Sequence, residues 1–255
     1  MKHPLPKQST RPLMQVMETP RTLTLTQLPR VLLRLQETFL SSNNPLKLRG
    51  CNSVRKDKAT GSNHSGGVCI LTSNLYPSTP RALHTSSQAV TKQVHARTLV
   101  TVCCVYLPLH DVISQQDLDT LVGQLPTSFI LLGDFNGHST LWGSNVTNSC
   151  GRQIERLISN NCLCLLNNDE KMYFHEPTHT FYSLDLAICS PTLLPMLYFT
   201  VGSDLCNSDH FPIIRSYADS GGVIQFPPRY LFQRAAPQGR HIFFKCDGIH
   251  DLEVP

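Results

Sequence analysis

Many short strand-type runs with only two helical segments between them predict a layered α/β or α+β domain, its core formed by sheet packed on sheet. Three observations carry this. Apolar β-type runs recur at 31–35, 68–71, 98–107, 129–132, 162–166, 181–188, 197–201 and 211–214. Helical periodicity occurs just twice. The 255 residues, 40% hydrophobic and 16% charged, suffice for one sizeable core and sit near the upper end of what stays a single domain.

The first helix is announced by Ser114-Gln-Gln-Asp117, which has the form of a capping box, and by Leu118, Leu121, Val122 and Leu125 at i, i+3, i+4 and i+7. Pro126 stops it. The second runs from about Gly151, with Ile154, Leu157 and Ile158 on one face and Arg152, Glu155 and Arg156 on the other. The most apolar run, LVTVCCVYLPL, is far shorter than the ~20 residues of a bilayer span, so no membrane association is expected. Both ends, Met1 to Thr26 and Ala218 to Pro255, lack a clear period and are expected to be loosely attached.

The net charge of +4 hides an asymmetry. Residues 1–60 carry eleven Lys/Arg against three Asp/Glu, a net +8, while 61–255 carry eleven against fifteen, a net −4. The body is therefore acidic, and the basic segment reads as a solvated tail or a polyanion contact. Ten cysteines invite a disulfide framework, but the sequence does not open on a secretory signal, so reduced thiols and an intracellular site, nucleus or cytoplasm, are expected. Cys103-Cys104 and Cys162-x-Cys164 lack the two-residue gap of tetrahedral zinc sites and read as small buried hydrophobes.

Two strings mislead. His175-Glu-Pro-Thr-His179 matches HExxH, but a zinc site of that type needs both histidines one turn apart on a helix, and Pro177 disrupts that helix. Tyr217-Ala-Asp-Ser220 resembles a polymerase YxDD turn without its second aspartate.

A different set converges. The strand at 129–132 runs directly into Gly133-Asp134-Phe135-Asn136, Ser208-Asp209-His210 precedes another strand, and the strand at 31–35 ends in Gln36-Glu37-Thr38. Metal- or proton-handling groups thus stand at the tips of three core strands, where open sheets commonly meet ligands. Any one of them alone is more simply a turn or cap.

In order, LQETFL, VYLP, LLGDFNGHSTLWGS, TFYSLDLAICS and SDHFPII resemble the endonuclease/exonuclease/phosphatase superfamily, and more narrowly the apurinic-type endonuclease domain of jockey-like non-LTR retrotransposons. The resemblance spans residues 28–217, leaving 1–27 as a diverged basic segment and 218–255 as a tail. It implies a four-layer α/β sandwich of two mixed sheets flanked by helices, and a Mg²⁺-dependent (or Mn²⁺-dependent) endonuclease that nicks double-stranded DNA to prime reverse transcription. It further implies a reverse transcriptase domain elsewhere in the full element.

By the same resemblance Glu37 is the principal metal carboxylate, Asp209 a further metal-side group, and Asp134 a catalytic group beside the leaving oxygen or a ligand of a second metal. His210 handles the proton of the attacking water, and Asp185 holds the other ring nitrogen. Asn136 bonds the scissile phosphate, and Tyr106 serves either the departing oxygen or the core. His138, Trp142 and Thr178 match positions near the substrate groove, where packing explains them equally well. An aspartate within the apolar run at 181–188 is itself a signal, because burying it without a partner costs several kcal/mol.

The superfamily's domain opens with a strand carrying a metal-binding asparagine. MKHPLPKQSTRPLMQVMETPRT contains neither strand pattern nor asparagine. The expectation is therefore a domain lacking its first strand. A catalytically inactive remnant that binds DNA weakly, or a phosphatase/phosphodiesterase branch of the superfamily, stand as alternatives.

Overall fold

The computed structural model describes residues 32–36, 38, 46, 49–57, 66–95, 98–109, 113–202, 210–211 and 213–216. Along the chain the strands are β1 (Leu32–Gln36), β2 (Cys51–Lys56), β3 (Val68–Ser73), β4 (Ser78–Arg81), β5 (Gln88–His95) and β6 (Leu99–Tyr106). Helix α1 (Gln115–Gly123) leads to β7 (Phe129–Asp134), and α2 (Ser149–Asn160) to β8 (Cys164–Leu165). There follow β9 (Tyr173–His175), β10 (Thr180–Tyr182), β11 (Asp185–Cys189), β12 (Tyr198–Val201) and β13 (Ile213–Ser216).

Six strands form one mixed sheet in the order β4-β5-β6-β7-β11-β8. Its central pair, β6 and β7, is parallel and bridged by α1; its other pairs are antiparallel. A second sheet, β1-β3-β2, is antiparallel throughout. The pairs β9–β10 and β12–β13 complete the described strands.

Between the two larger sheets lies one core layer. Leu32, Val68 and Ile70 from the smaller sheet meet Val102, Cys104, Ile130, Leu132 and Ala187 from the larger. The opposite face of the larger sheet is covered by both helices, with Leu118, Leu121, Ile154, Leu157 and Ile158 against Cys103, Leu131 and Leu186. Burial on both faces is why β6, β7 and β11 read as unbroken apolar runs rather than alternating ones. Both described helices lie on this side.

The capping box is present: the Ser114 hydroxyl accepts from the Asp117 N–H, and the Asp117 carboxylate accepts from the Ser114 N–H. The helix stops at Gly123, before Pro126. Asn148 caps α2 through Gly151 N–H at 2.7 Å.

Several expectations need correction. The run at 181–188 is two strands, β10 and β11, separated by Ser183 and Leu184, because Leu184 O turns away to accept from Phe135 N–H. Strands β2, β4 and β5 were not expected. Cys103 and Cys104 are buried, but Cys162 is exposed at φ +50°, outside the two-residue β8. The HExxH string forms the β9–β10 hairpin, with a 3-10 turn over Glu176–Thr178 and His179 left-handed at φ +51°. None of the described helices is long and apolar enough to cross a membrane. The ends expected to be loosely attached, the YADS string and the expected loss of a first strand fall outside the described residues.

Candidate active site

Register alone assembles the first part of the site. Across three neighbouring strands Tyr106 pairs with Asp134, and Asp134 with Asp185. Register partners share a face of the sheet, so the three form one row at the edge of the inter-sheet core. Gln88 of β5 extends the row beyond Tyr106; its side-chain oxygen accepts from Gly67 N–H at 2.7 Å.

The GDFN turn has local reasons. A Cβ at Gly133 would stand 2.1 Å from Val105 O, so only glycine lets β6 and β7 approach here. Phe135 then plugs the helix-side core, and Asn136 sits left-handed at φ +49°, a conformation asparagine tolerates better than most residues. From that position Asn136 N–H donates to Asp134 Oδ1 at 2.9 Å and Asn136 Nδ2 to Asp134 Oδ2 at 3.0 Å. Nδ2 also donates to Leu107 O at 3.0 Å.

Asp185 is buried and its two oxygens are divided between partners. Oδ1 accepts from Arg34 Nη2 at 2.9 Å, and Oδ2 faces His210 Nδ1 at 2.5 Å. Burial works against the Asp185 charge, but His210 and Arg34 outweigh it and hold the carboxyl below its ordinary value. A carboxylate can only accept, so His210 Nδ1 carries the proton and Nε2 is the basic ring nitrogen. Asp134 moves the other way. Burial first, then the charge of Asp185, push its carboxyl up to about 7.

That upward push comes first from burial and then from the Asp185 carboxylate beside it, with His210 and Arg34 opposing it. A divalent cation of the Mg²⁺ type binds carboxylate oxygens, and each Asp134 oxygen retains lone-pair capacity beyond its Asn136 bond. Of the three expected ligands Asp134 is the one described, and among the described residues no group of three or more His, Cys, Asp or Glu side chains converges as a metal site. Glu37 and Asp209 lie outside the described residues.

His210 is also framed by rings. Its centroid is 4.7 Å from Tyr173, with which it forms an isolated β-bridge. Tyr173 stacks on Tyr182 at 6.4 Å, and Tyr182 meets His138 edge-on at 5.3 Å. His138 is thereby linked to His210 through the hairpin, and burial lowers its pKa. Trp142 is wholly buried, its indole N–H donated to Gly137 O at 2.9 Å; it holds the loop after GDFN and presents no surface. Thr178 is exposed in the hairpin turn, bonded locally to His175 and Thr180.

The structure thus gathers Tyr106, Asp134, Asn136, Asp185 and His210, with His138 nearby. Sequence reasoning overlooked Arg34 and Gln88. Arg34 carried the same signal as Asp185, a charge in an apolar run, LLRLQ.

A family model described as endonuclease-reverse transcriptase matches residues 100–214. The probable RNA-directed DNA polymerase from transposon X-element of Drosophila melanogaster is 27% identical over 205 residues, 76% of this chain. The chain spans 22% of that protein's length. The endonuclease domain of TRAS1, a telomere-specific non-LTR retrotransposon, superposes with a TM-score of 0.58 at 20% identity, covering 70% of this chain and 84% of that one. An endonuclease/exonuclease/phosphatase family protein from Leptotrichia buccalis gives 0.45 at 15% identity, over 66% and 71%. Two sheets packed face to face, with both described helices on one side, give an α/β sandwich like that of the TRAS1 endonuclease domain. The chain is thus similar in sequence, over residues 100–214, to the endonuclease-reverse transcriptase family, and in fold to the TRAS1 endonuclease domain.

Proposed function

We propose that the domain, over residues 28–217, hydrolyses a phosphodiester of double-stranded DNA in the presence of Mg²⁺, leaving a nick that primes reverse transcription. The observation that carries this reading is the His210–Asp185 pair, whose Asp185 stands in one row with Asp134 and Tyr106. His210 Nε2 accepts the proton of the attacking water, and Asp185 holds Nδ1–H so that the imidazolium formed is stabilised where it arises. Asn136, fixed by its left-handed turn, would reach a phosphate oxygen by exchanging one of its two Nδ2 hydrogen bonds, to Asp134 or to Leu107 O, as charge builds there. Tyr106 supplies a hydroxyl toward the departing oxygen. Glu37, Asp209 and Asp134 would hold the metal, whose contribution is to neutralise charge on the phosphoryl group.

A DNA substrate is supported by the relatives, one described as an RNA-directed DNA polymerase and one as a telomere-specific element. A reverse transcriptase partner domain in the full element, and an intracellular place of action, nucleus or cytoplasm, follow from the same reading. Incubated with supercoiled plasmid and Mg²⁺, the protein is expected to produce nicked circles, and His210→Ala to slow this by about 10²–10⁴-fold. Nicking no faster than the His210→Ala control rejects the proposal.

A further inference from the structure

Arg34 is the charged residue of β1, a strand that otherwise lends Leu32 to the core between the sheets. It crosses that layer to Asp185, from the three-stranded sheet to the six-stranded one. Gln36, two residues on and so on the same face of the strand, makes a second crossing: its Nε2 donates to Val105 O at 2.5 Å. Both ties come immediately before Glu37. A buried ion pair is weak evidence for stability, since apolar residues of similar volume serve as well or better. Its geometry here does something an apolar pair cannot: by occupying Oδ1 of Asp185, Arg34 fixes the carboxylate plane and leaves Oδ2 to His210.

We propose that Arg34 is a positioning residue, which orients Asp185 toward His210 and locks the strand leading to Glu37 onto the strand that holds the proton-transfer pair. The guanidinium suits this task because it is planar and its N–H groups are set in a rigid fork, so the carboxylate it grips keeps one orientation. The assignment rests on the endonuclease reading for its consequence in catalysis, but its effect on His210 is structural and observable without substrate.

Two readouts test it on the full chain: steady-state nicking of a duplex with Mg²⁺, and the ¹⁵N resonances of the His210 ring in the metal-free protein. In the wild type the ring is expected as a single Nδ1–H tautomer. Arg34→Met is expected to lower kcat by about tenfold or more, as loss of an orienting partner does, with KM for the duplex little changed, and to average the ring between tautomers. Arg34→Lys, which keeps the charge without the fork, is expected to recover part of kcat. Where Arg34→Met fails to fold, Arg34→Lys carries the test, with reduced kcat and an altered ring signal expected. Wild-type kcat with an unchanged ring signal in the folded variants overturns the assignment, and so does a loss confined to KM, which would make Arg34 a DNA contact. If the wild type itself fails to nick, the endonuclease reading falls, while the ring resonances still decide the role of Arg34.

Discussion

Asp134 and Asp185 are the same chemical group on neighbouring strands, and their surroundings drive them apart. Asp185 is held ionised by His210 and Arg34 against its burial. Asp134 has neutral Asn136 as its direct hydrogen-bond partner and feels burial and the Asp185 charge, so its carboxyl rises to about 7. The two make opposite demands on stability. The raised Asp134 pKa contributes stability fully present below about 4, the unfolded value, and lost as pH rises through about 7. The depressed Asp185 pKa contributes stability present above about 4 and lost as pH falls through its lower folded value. Metal-free protein should therefore weaken between pH 5 and 8 through Asp134. Compared with the wild type, Asp134→Asn should lose less stability over that interval, by at least about 1.4 kcal/mol, or roughly 3–6 °C in Tm. Parallel thermal melts of the two proteins from pH 5 to 8, in chelator, check this; identical pH slopes would contradict it.

The elements show why the same substitution has opposite effects at two places. A Cβ on Gly151, in the first turn of α2, would stand 1.8 Å from His138 O, backbone against backbone, because α2 docks on the loop that follows GDFN. Around Gly123, at the end of α1, nothing lies within 4 Å. Gly151→Ala should therefore destabilise by about 1–3 kcal/mol through overpacking, and Gly123→Ala should stabilise by roughly 0.4–1 kcal/mol through the unfolded chain. Urea unfolding of both variants reads the two signs directly. These elements also show where the sequence was legible. The centre of the fold could be read because β6, β7 and β11 are apolar on both faces, and both helices because their caps and stripes are local. Strand β5 was hidden: Lys92 sits in it wholly buried, which composition does not suggest, with its ammonium donating to Asn52 of β2. The row of Tyr106, Asp134 and Asp185 could be suspected residue by residue, yet its assembly depends on pairings between strands far apart in sequence. Arg34 was missed for that reason, since its partner is 151 positions away.

At the scale of the whole molecule the site belongs to neither sheet alone. Arg34 and Gln36 come from the smaller sheet, Tyr106, Asp134 and Asp185 from the larger, and His210 joins them from beyond the β9–β10 hairpin. The acidic character of residues 61–255, net −4, makes the body a poor partner for DNA unless its carboxylates are offset by cations. A cation held at this row would bind the folded chain and not the unfolded one, because the carboxylates converge only when the strands are paired. Binding should then add stability that grows as RT ln(1 + [L]/Kd), about 1.4 kcal/mol at tenfold saturation and so roughly 3–6 °C in Tm. Thermal melts at pH 8 with millimolar Mg²⁺ and with chelator should differ by that amount in the wild type and converge in Asp134→Asn, which removes both a carboxylate charge and an oxygen donor. Equal wild-type Tm values in Mg²⁺ and chelator would separate the site from the metal, leaving Asp134 a carboxyl held up by its burial and by the Asp185 charge.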